Sequence, residues 1–519
     1  MKSIKIFSVC LAALLGLSSC ASSWLDQELT GGTLTQEEYN SMSNVTVGTV
    51  KGIYSSFYAV SDHDLFGVKS LDIATDLVSS DLAMTAQAYG WFTTDAQRLT
   101  QYRTSYIWSF YFDMIMNANA VLRSLDHKST LTQEEQDAYA QALAIRAYCY
   151  YNLANLYGPA AGDNTTPSVY GKKGKGADYD LAPIYTQNDT TSAGLVKERP
   201  LSSYIEVREF VESDLTNAIE HFEKANMTRT SKLFIDINVA KALQAYNYLQ
   251  MAWAKPTDAQ SQECYKKGYD MAMSVIRESG YQILPYDDVL TTGFVDVNNP
   301  SWMWGLDVTA ENYGGLASFW GHIDIHTYSY AYAGATKGMD ELLYKGYFTN
   351  GMETNDIRCK WFDATKKYIP DWKFYDLKRG VTADEIDRDW KNDVVFLRIE
   401  EMYLIAAECA YNMNDMDASR SILKELLVER LEDPSVVDGW NGMDLLKQIY
   451  YNWRVELFAE GRGLITFKRF NQYGSADFSQ KKRGNNHFAQ AGNDMKATDY
   501  EILYKVPSSE IVYNSEIND

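Results

Sequence analysis

Between positions 133 and 157 the apolar and small side chains Ala138, Ala142, Ile145, Cys149, Leu153 and Leu156 return at steps of three and four. That spacing lines one face of an α-helix, and Gly158-Pro159 predicts its end. The same period predicts a helix over 202–222, with Val207, Phe210, Val211, Leu215, Ala218, Ile219 and Phe222 on its buried side. Ser202 or Ser203 suits its N-cap, where a hydroxyl accepts from a free backbone N–H. Further helices are predicted over 238–254 and over 262–279, the latter stopped by Gly280. A later set covers 394–413, 417–431 and 443–470, and an early pair covers 47–60 and 104–125.

Small residues such as Ala406, Ala407 and Ala410 fall where neighbouring helices must approach closely. The expected fold is therefore mainly α, a tetratricopeptide-like helix-hairpin scaffold in which each hairpin buries its face on the next. The period is irregular, because loop-rich insertions with a few short strands interrupt it at 158–200 and 281–393. Five regions follow: a leader at 1–19, a tether at 20–46, an N-terminal scaffold at 47–280, an aromatic-rich lobe at 281–393, and C-terminal helices with a terminal lobe at 394–519.

The leader changes the picture most. Lys2 and Lys5 precede a short apolar stretch from 6 to 17, and Leu17-Ser18-Ser19-Cys20 closes it. The stretch is short for a membrane span and has the layout of a secretory signal. Small residues before Cys20 resemble a bacterial lipoprotein processing site, in which the thiol takes a diacylglycerol and becomes the first residue. Two or more acyl chains anchor stably, since each buried CH2 contributes about 0.8 kcal/mol. The net charge is -21, and the leader holds only bases, so the mature chain is more acidic still. Such a chain is a poor nucleic-acid binder, because that affinity comes from cations on phosphate. Past the leader and the anchor, Cys149, Cys264, Cys359 and Cys409 are too scattered for a metal motif or a dense disulfide framework. Cys149 and Cys409 suit buried free thiols.

Six stretches, in order, resemble the SusD/RagB family of Bacteroidota nutrient-binding lipoproteins. They are Arg146-Ala147-Tyr148-Cys149-Tyr150-Tyr151-Asn152-Leu153 with Leu156-Tyr157-Gly158-Pro159; Asp214-Leu215 with Ala218-Ile219; Ala240, Ala242-Leu243 and Ala245; Leu397-Arg398 with Glu401-Met402-Tyr403-Leu404-Ile405-Ala406-Ala407-Glu408; Glu456-Leu457-Phe458-Ala459-Glu460-Gly461 with Lys468-Arg469-Phe470; and Val506-Pro507, Glu510 and Asn514. Thr466 and Gly463 depart from the family pattern, and the chain stops at Asn518-Asp519 without the usual terminal motif. The resemblance implies docking on a SusC-like TonB-dependent transporter, an outer-membrane address facing the exterior through the lipid anchor, and capture of a glycan over the barrel mouth. It implies no enzyme and no cofactor, and leaves structural calcium open. Glu401, Glu408, Arg454, Glu456 and Arg462 then read as structural ion pairs and helix-end hydrogen bonds.

Aromatic rings suit the apolar C–H faces of pyranoses, with polar side chains orienting the hydroxyls. Trp302, Trp304, Tyr313, Phe319, Trp320, His322, His326, Tyr328, Tyr330 and Tyr332 crowd one Gly-rich stretch, with Asn312, Asp324 and Arg358 nearby in sequence. Trp302 and Trp304 alternate after Pro300 and predict a half-buried strand. Tyr313, Trp320 and Tyr330 are candidate ligand contacts, as are Trp91 and Phe92 in the cluster Tyr89-Gly90-Trp91-Phe92, and Trp91 leads. His322 and His326 have i, i+4 spacing but no completing ligands, so they read as polar loop residues. Lys172-Lys173-Gly174-Lys175 reads as a solvated loop. A peptide- or protein-binding scaffold is the competing function, and a glycan-degrading enzyme would need paired carboxylates facing a cleft.

Overall fold

A computed structural model describes residues 43–97, 99–189, 197–374, 392–492 and 494–517, with backbone alone for 43–47. The expected leader, Cys20, most of the tether and the last two residues lie outside the described residues.

The principal helices are α1 (Ser43–Ser55), α2 (Val68–Ser79), α3 (Gln101–Asp126), α4 (Gln133–Tyr157), α5 (Tyr204–Ala225), α6 (Ile237–Met251), α7 (Asp258–Glu278), the short α8 (Phe319–Ile323), α9 (Glu400–Asn412), α10 (Met416–Leu427), α11 (Gly442–Glu456) and α12 (Gly463–Phe470). Helices α3 to α7 each pack on the next, α7 packs on α9, and α9 packs on α10 and α11. This is the expected mainly α stack of helix hairpins. Local chemistry starts the helices: Thr132 with Glu135 caps α4, and Ser203 with Glu206 caps α5 by the same reciprocal pair of hydrogen bonds. Helix α4 stops before Gly158-Pro159 as expected, and a distant residue satisfies its end. Lys468 on α12 donates to the carbonyls of Asn155, Leu156 and Gly158 at 2.7, 3.0 and 2.6 Å. A cation there satisfies orphan acceptors and opposes the negative end of the helix dipole.

The strands are short and antiparallel. A hairpin is formed by β1 (Val60–Asp62) and β2 (Leu65–Phe66); β3 (Leu82–Met84) pairs with β5 (Lys337–Met339), and β4 (Trp302–Leu306) pairs with β6 (Val394–Arg398). Two expectations change here. Residues 394–398 form a strand, not the first turn of a helix. Val394-Val395-Phe396-Leu397 is a continuous apolar run, whose period cannot separate strand from buried helix, and pairing with β4 decides it. Both faces of β4 are covered, so Trp302 and Trp304 are fully buried instead of half-buried. Cys149 and Cys409 are buried and free as expected, and Lys172, Lys173 and Lys175 are exposed on their loop.

Helix 443–470 is broken between Glu456 and Gly463. The break frees the carbonyls of Glu456 and Phe458, which accept from Lys373 Nζ at 2.9 and 2.8 Å. Gly461 and Gly463 then donate their N–H groups to Asp76 on α2, both at 2.9 Å. A Cβ on Gly463 would sit 2.5 Å from Ser79 Oγ, so the departure from the family pattern answers to a close helix–helix approach. Burial pushes the Asp76 carboxyl up to about 7 despite those two donors. Thr466, the other departure, is buried.

Around this break lies a fully buried ionic cluster. Glu456 Oε1 accepts from Arg398 and Arg430 at 2.7 and 2.8 Å, and Oε2 accepts from Arg358 and Arg430 at 2.9 and 3.0 Å. Asp356 pairs with Arg358, Glu400 with Arg430, and Glu460 with Arg398 and Lys373. Among the described residues four cations thus face four carboxylates. The flanking motif residues are ion-paired too: Glu401 with Arg462, Glu408 with Arg469, and Asp81 with Arg454. Removing one partner from a buried ionic group leaves uncompensated charge. Glu456→Ala is expected to lower unfolding free energy by about 3–5 kcal/mol, read from urea denaturation. A loss under about 1 kcal/mol would show that the arginines find other partners.

Candidate ligand-binding site

The site begins with a two-residue turn. His63 and Asp64 join β1 to β2, and each is gripped from outside the hairpin. Arg103, in the first turn of α3, donates to the Asp64 carbonyl at 3.0 Å and to its carboxylate at 2.8 Å. Its guanidinium also clamps Asp95 at 3.0 and 2.9 Å. Burial pushes the Asp95 carboxyl up from its usual range, although Arg103 pulls it down. The His63 carbonyl accepts from His322 Nε2–H at 2.7 Å.

Two adjacent rings then part company. Phe92 takes a left-handed backbone, with φ of 60°. Its side chain is 1 % exposed, edge-on to His322 at 4.9 Å, with Arg103 and Lys337 over its ring. Phe92 is therefore a core residue and not a ligand contact, because the backbone twist buries it. Its neighbour Trp91 stays half-exposed. The indole stacks on the His63 imidazole, with centroids 4.9 Å apart and planes 25° apart.

Beneath the platform, His322 lies between Phe66 and Tyr330, at 5.5 and 5.1 Å. It is fully buried on α8, not a polar loop residue. Burial, and then Lys337, hold its imidazole well below the usual histidine range. Lys337 is buried on β5, donates to the carbonyls of His322 and Ala335, and is pushed down to about 7 by burial. Tyr330 is 9 % exposed, so it walls the platform more than it faces solvent. It meets Trp91 at 6.2 Å and Tyr89 at 5.0 Å. Tyr89, at 39 % exposure, extends the surface, and Tyr328 and Tyr332 stand exposed on the same loop as Tyr330.

The other sequence candidates scatter. Trp320 is 2 % exposed, packs on Phe319 and Phe374, and donates Nε1–H to the Asp393 carbonyl at 3.3 Å. Sitting on the inner face of α8, it is a core residue and not a ligand contact. Tyr313 is exposed, but it lines a separate apolar cleft with Phe57, Val60 and Trp320. The β1–β2 hairpin divides the two places: Val60 and Phe66 line the cleft, while His63 supports the platform. Arg358, read as a hydroxyl-orienting group, belongs to the buried ionic cluster. Asn312 is engaged with its own loop, and Asp324 is buried. His326 follows the end of α8, so it shares no helix face with His322. Among the described residues, no group of three or more His, Cys, Asp or Glu is placed to hold a metal ion. Sequence reasoning missed His63. Its only local mark is the polar run Ser61-Asp62-His63-Asp64 before Leu65-Phe66.

The family described as "Starch-binding associating with outer membrane" matches residues 34–220, and the SusD family matches residues 325–519. No curated protein matches the chain. Among solved structures, the chain is similar to a SusD-like carbohydrate binding protein from Bacteroides vulgatus, with 22 % identity, 92 % and 97 % of the two chains covered and a TM-score of 0.70. It is also similar to a SusD superfamily protein from Bacteroides thetaiotaomicron, with 19 % identity, 92 % and 100 % covered and a TM-score of 0.67.

Trp320→Ala is expected to cost about 3–5 kcal/mol of stability, as large-to-small core changes do, while Trp91→Ala costs about 1 kcal/mol or less. Equal costs in denaturant titrations would refute this division of roles. The His322 pKa generates a second expectation. Native protein binds fewer protons than unfolded protein below the ordinary histidine value of 6.5, so stability is lost as pH falls through and below that value. His322→Phe keeps a ring in the stack and removes the titration. Its stability relative to the parent should rise between about pH 7 and about pH 5, by up to about 1.4 kcal/mol per pH unit. Paired melts at both pH values measure this, and a pH-independent gap would contradict it.

Proposed function

The chain belongs to the SusD/RagB family, and from that premise we propose that it captures an oligosaccharide or polysaccharide on the Trp91 platform and delivers it to a SusC-like TonB-dependent transporter. Cys20 carries the lipid that holds the mature chain on the outer membrane, facing the exterior. The observation that supports capture is the presentation of Trp91: a half-exposed indole, with an exposed Tyr89 nearby, stacked on His63 with the buried rings of Tyr330 and His322 behind. A fixed aromatic surface offers a face to the C–H side of a sugar at little ordering cost. Single-segment affinity is modest, and tethering beside a transporter raises effective concentration.

The ligand leaves unchanged. Hydrolysis of a glycosidic bond requires two carboxyl groups flanking it. The motif carboxylates Glu401, Glu408 and Glu456 are buried against arginines, which makes them structural partners and not an acid–base pair. Among the described residues no helix is long and apolar enough to cross a membrane, so the lipid on Cys20 supplies the attachment in this reading.

The test is affinity gel electrophoresis against amylopectin, xylan, arabinan, pectin, mannan and laminarin. The intact protein should be retarded by at least one, and Trp91→Ala should weaken that binding by tenfold or more, on the order of the 1.4 kcal/mol that one ring–sugar contact contributes, with the melting temperature preserved. Binding of peptides by a protein that ignores every polysaccharide would replace this function with peptide capture.

A further inference from the structure

We propose that His63 is the positioning residue of this platform: its imidazole locks the Trp91 indole against Tyr330 and so fixes the ring that the ligand meets. The proposal rests on the capture function above and names a part of that site outside the six stretches that carry the family resemblance. Three stretches far apart in sequence meet at this side chain: the β1–β2 turn, the loop 89–92 and the loop following α8. One face of the imidazole covers Trp91 at 4.9 Å. The ring stands at 81° to Tyr330, and its Nδ1 lies 2.8 Å from the Tyr330 hydroxyl, so a single proton joins the two. Both degrees of freedom of the side chain are thereby used.

The backbone beneath is equally held. The His63 N–H donates to Asp62 Oδ1 at 2.7 Å, its carbonyl accepts from His322, and Arg103 grips Asp64. An anchor so constrained transmits its order to the partner stacked on it. Without it, the indole keeps only its tilted contact with Tyr330 and its edge on the core, and gains rotamer freedom that binding must then freeze. With it, that ordering is complete before the ligand arrives.

The experiment uses the full chain and four variants. His63→Ala removes ring and hydrogen bond, His63→Phe keeps the ring, His63→Asn keeps a polar atom near Nδ1, and Trp91→Phe assigns the Trp91 resonance in 5-fluorotryptophan-labelled protein by its loss. In ligand-free His63→Ala the Trp91 ¹⁹F line should shift and broaden. Affinity for the polysaccharide retained best among the six above should fall roughly 3- to 10-fold, the value of one aromatic stack. Phe should restore the narrow line and most of the affinity; Asn should restore neither. An unchanged line in His63→Ala overturns the proposal, and so does a moved line with unchanged affinity. Should Trp91→Ala itself leave polysaccharide binding intact, the capture function at this site fails, and the ligand-free ¹⁹F line alone then decides whether His63 orders Trp91.

Discussion

Glu456 and the three arginines around it form the constraint on which the rest of the molecule hangs. The carboxylate sits at the end of α11, Arg398 at the end of β6, Arg430 just past α10, and Arg358 in the insertion before 374. Each of those elements ends where its charge must be delivered. Charges buried to this degree tolerate no slack, since every unmet donor is costly in a dry interior. Through Arg358 and Lys373 the insertion is consequently stitched to Glu456 and Glu460 at the break after α11.

That stitching reaches the ligand site through packed rings. Lys373 leaves the cluster with Phe294, Trp361 and Phe374 around its ammonium. Phe374 packs on Phe319 and Trp320 of α8, and α8 carries His322 into the stack under Tyr330. The rings of the insertion therefore divide by depth. The inner ones join the site to the scaffold, and only the outer ones are available to a partner. Close packing makes such a chain stiff, which suits a surface meant to be ordered before binding.

The electrostatics show the same division. Every motif carboxylate deep in the fold has a guanidinium against it, whereas Lys337 and His322 beneath the platform have carbonyls and rings for company. Burial alone pushes the Lys337 amine down to about 7. Beneath Tyr330 aromatic stacking and hydrogen bonds to carbonyls thus carry the geometry, while the Arg103 ion pairs hold the β1–β2 turn beside it.

The sequence by itself determined most of the scaffold helices and their order, though not α2 or α8. Apolar spacing along 133–157 and 202–222 and a serine N-cap at 202 or 203 are local physics, legible within one turn. It also put Trp91 first among the candidate ligand contacts, from the aromatic cluster Tyr89-Gly90-Trp91-Phe92. Tertiary structure alone decided the strand at 394–398, the break at 457–462, and which rings face out. Phe92 and Trp320 read like Trp91 in sequence, yet a left-handed backbone turns one inward and the inner face of α8 buries the other. His63 was invisible for the same reason: its role comes from partners nearly thirty and more than 260 positions away. Local period reports which side chains are apolar, but only packing against distant elements sets the depth at which each one comes to rest.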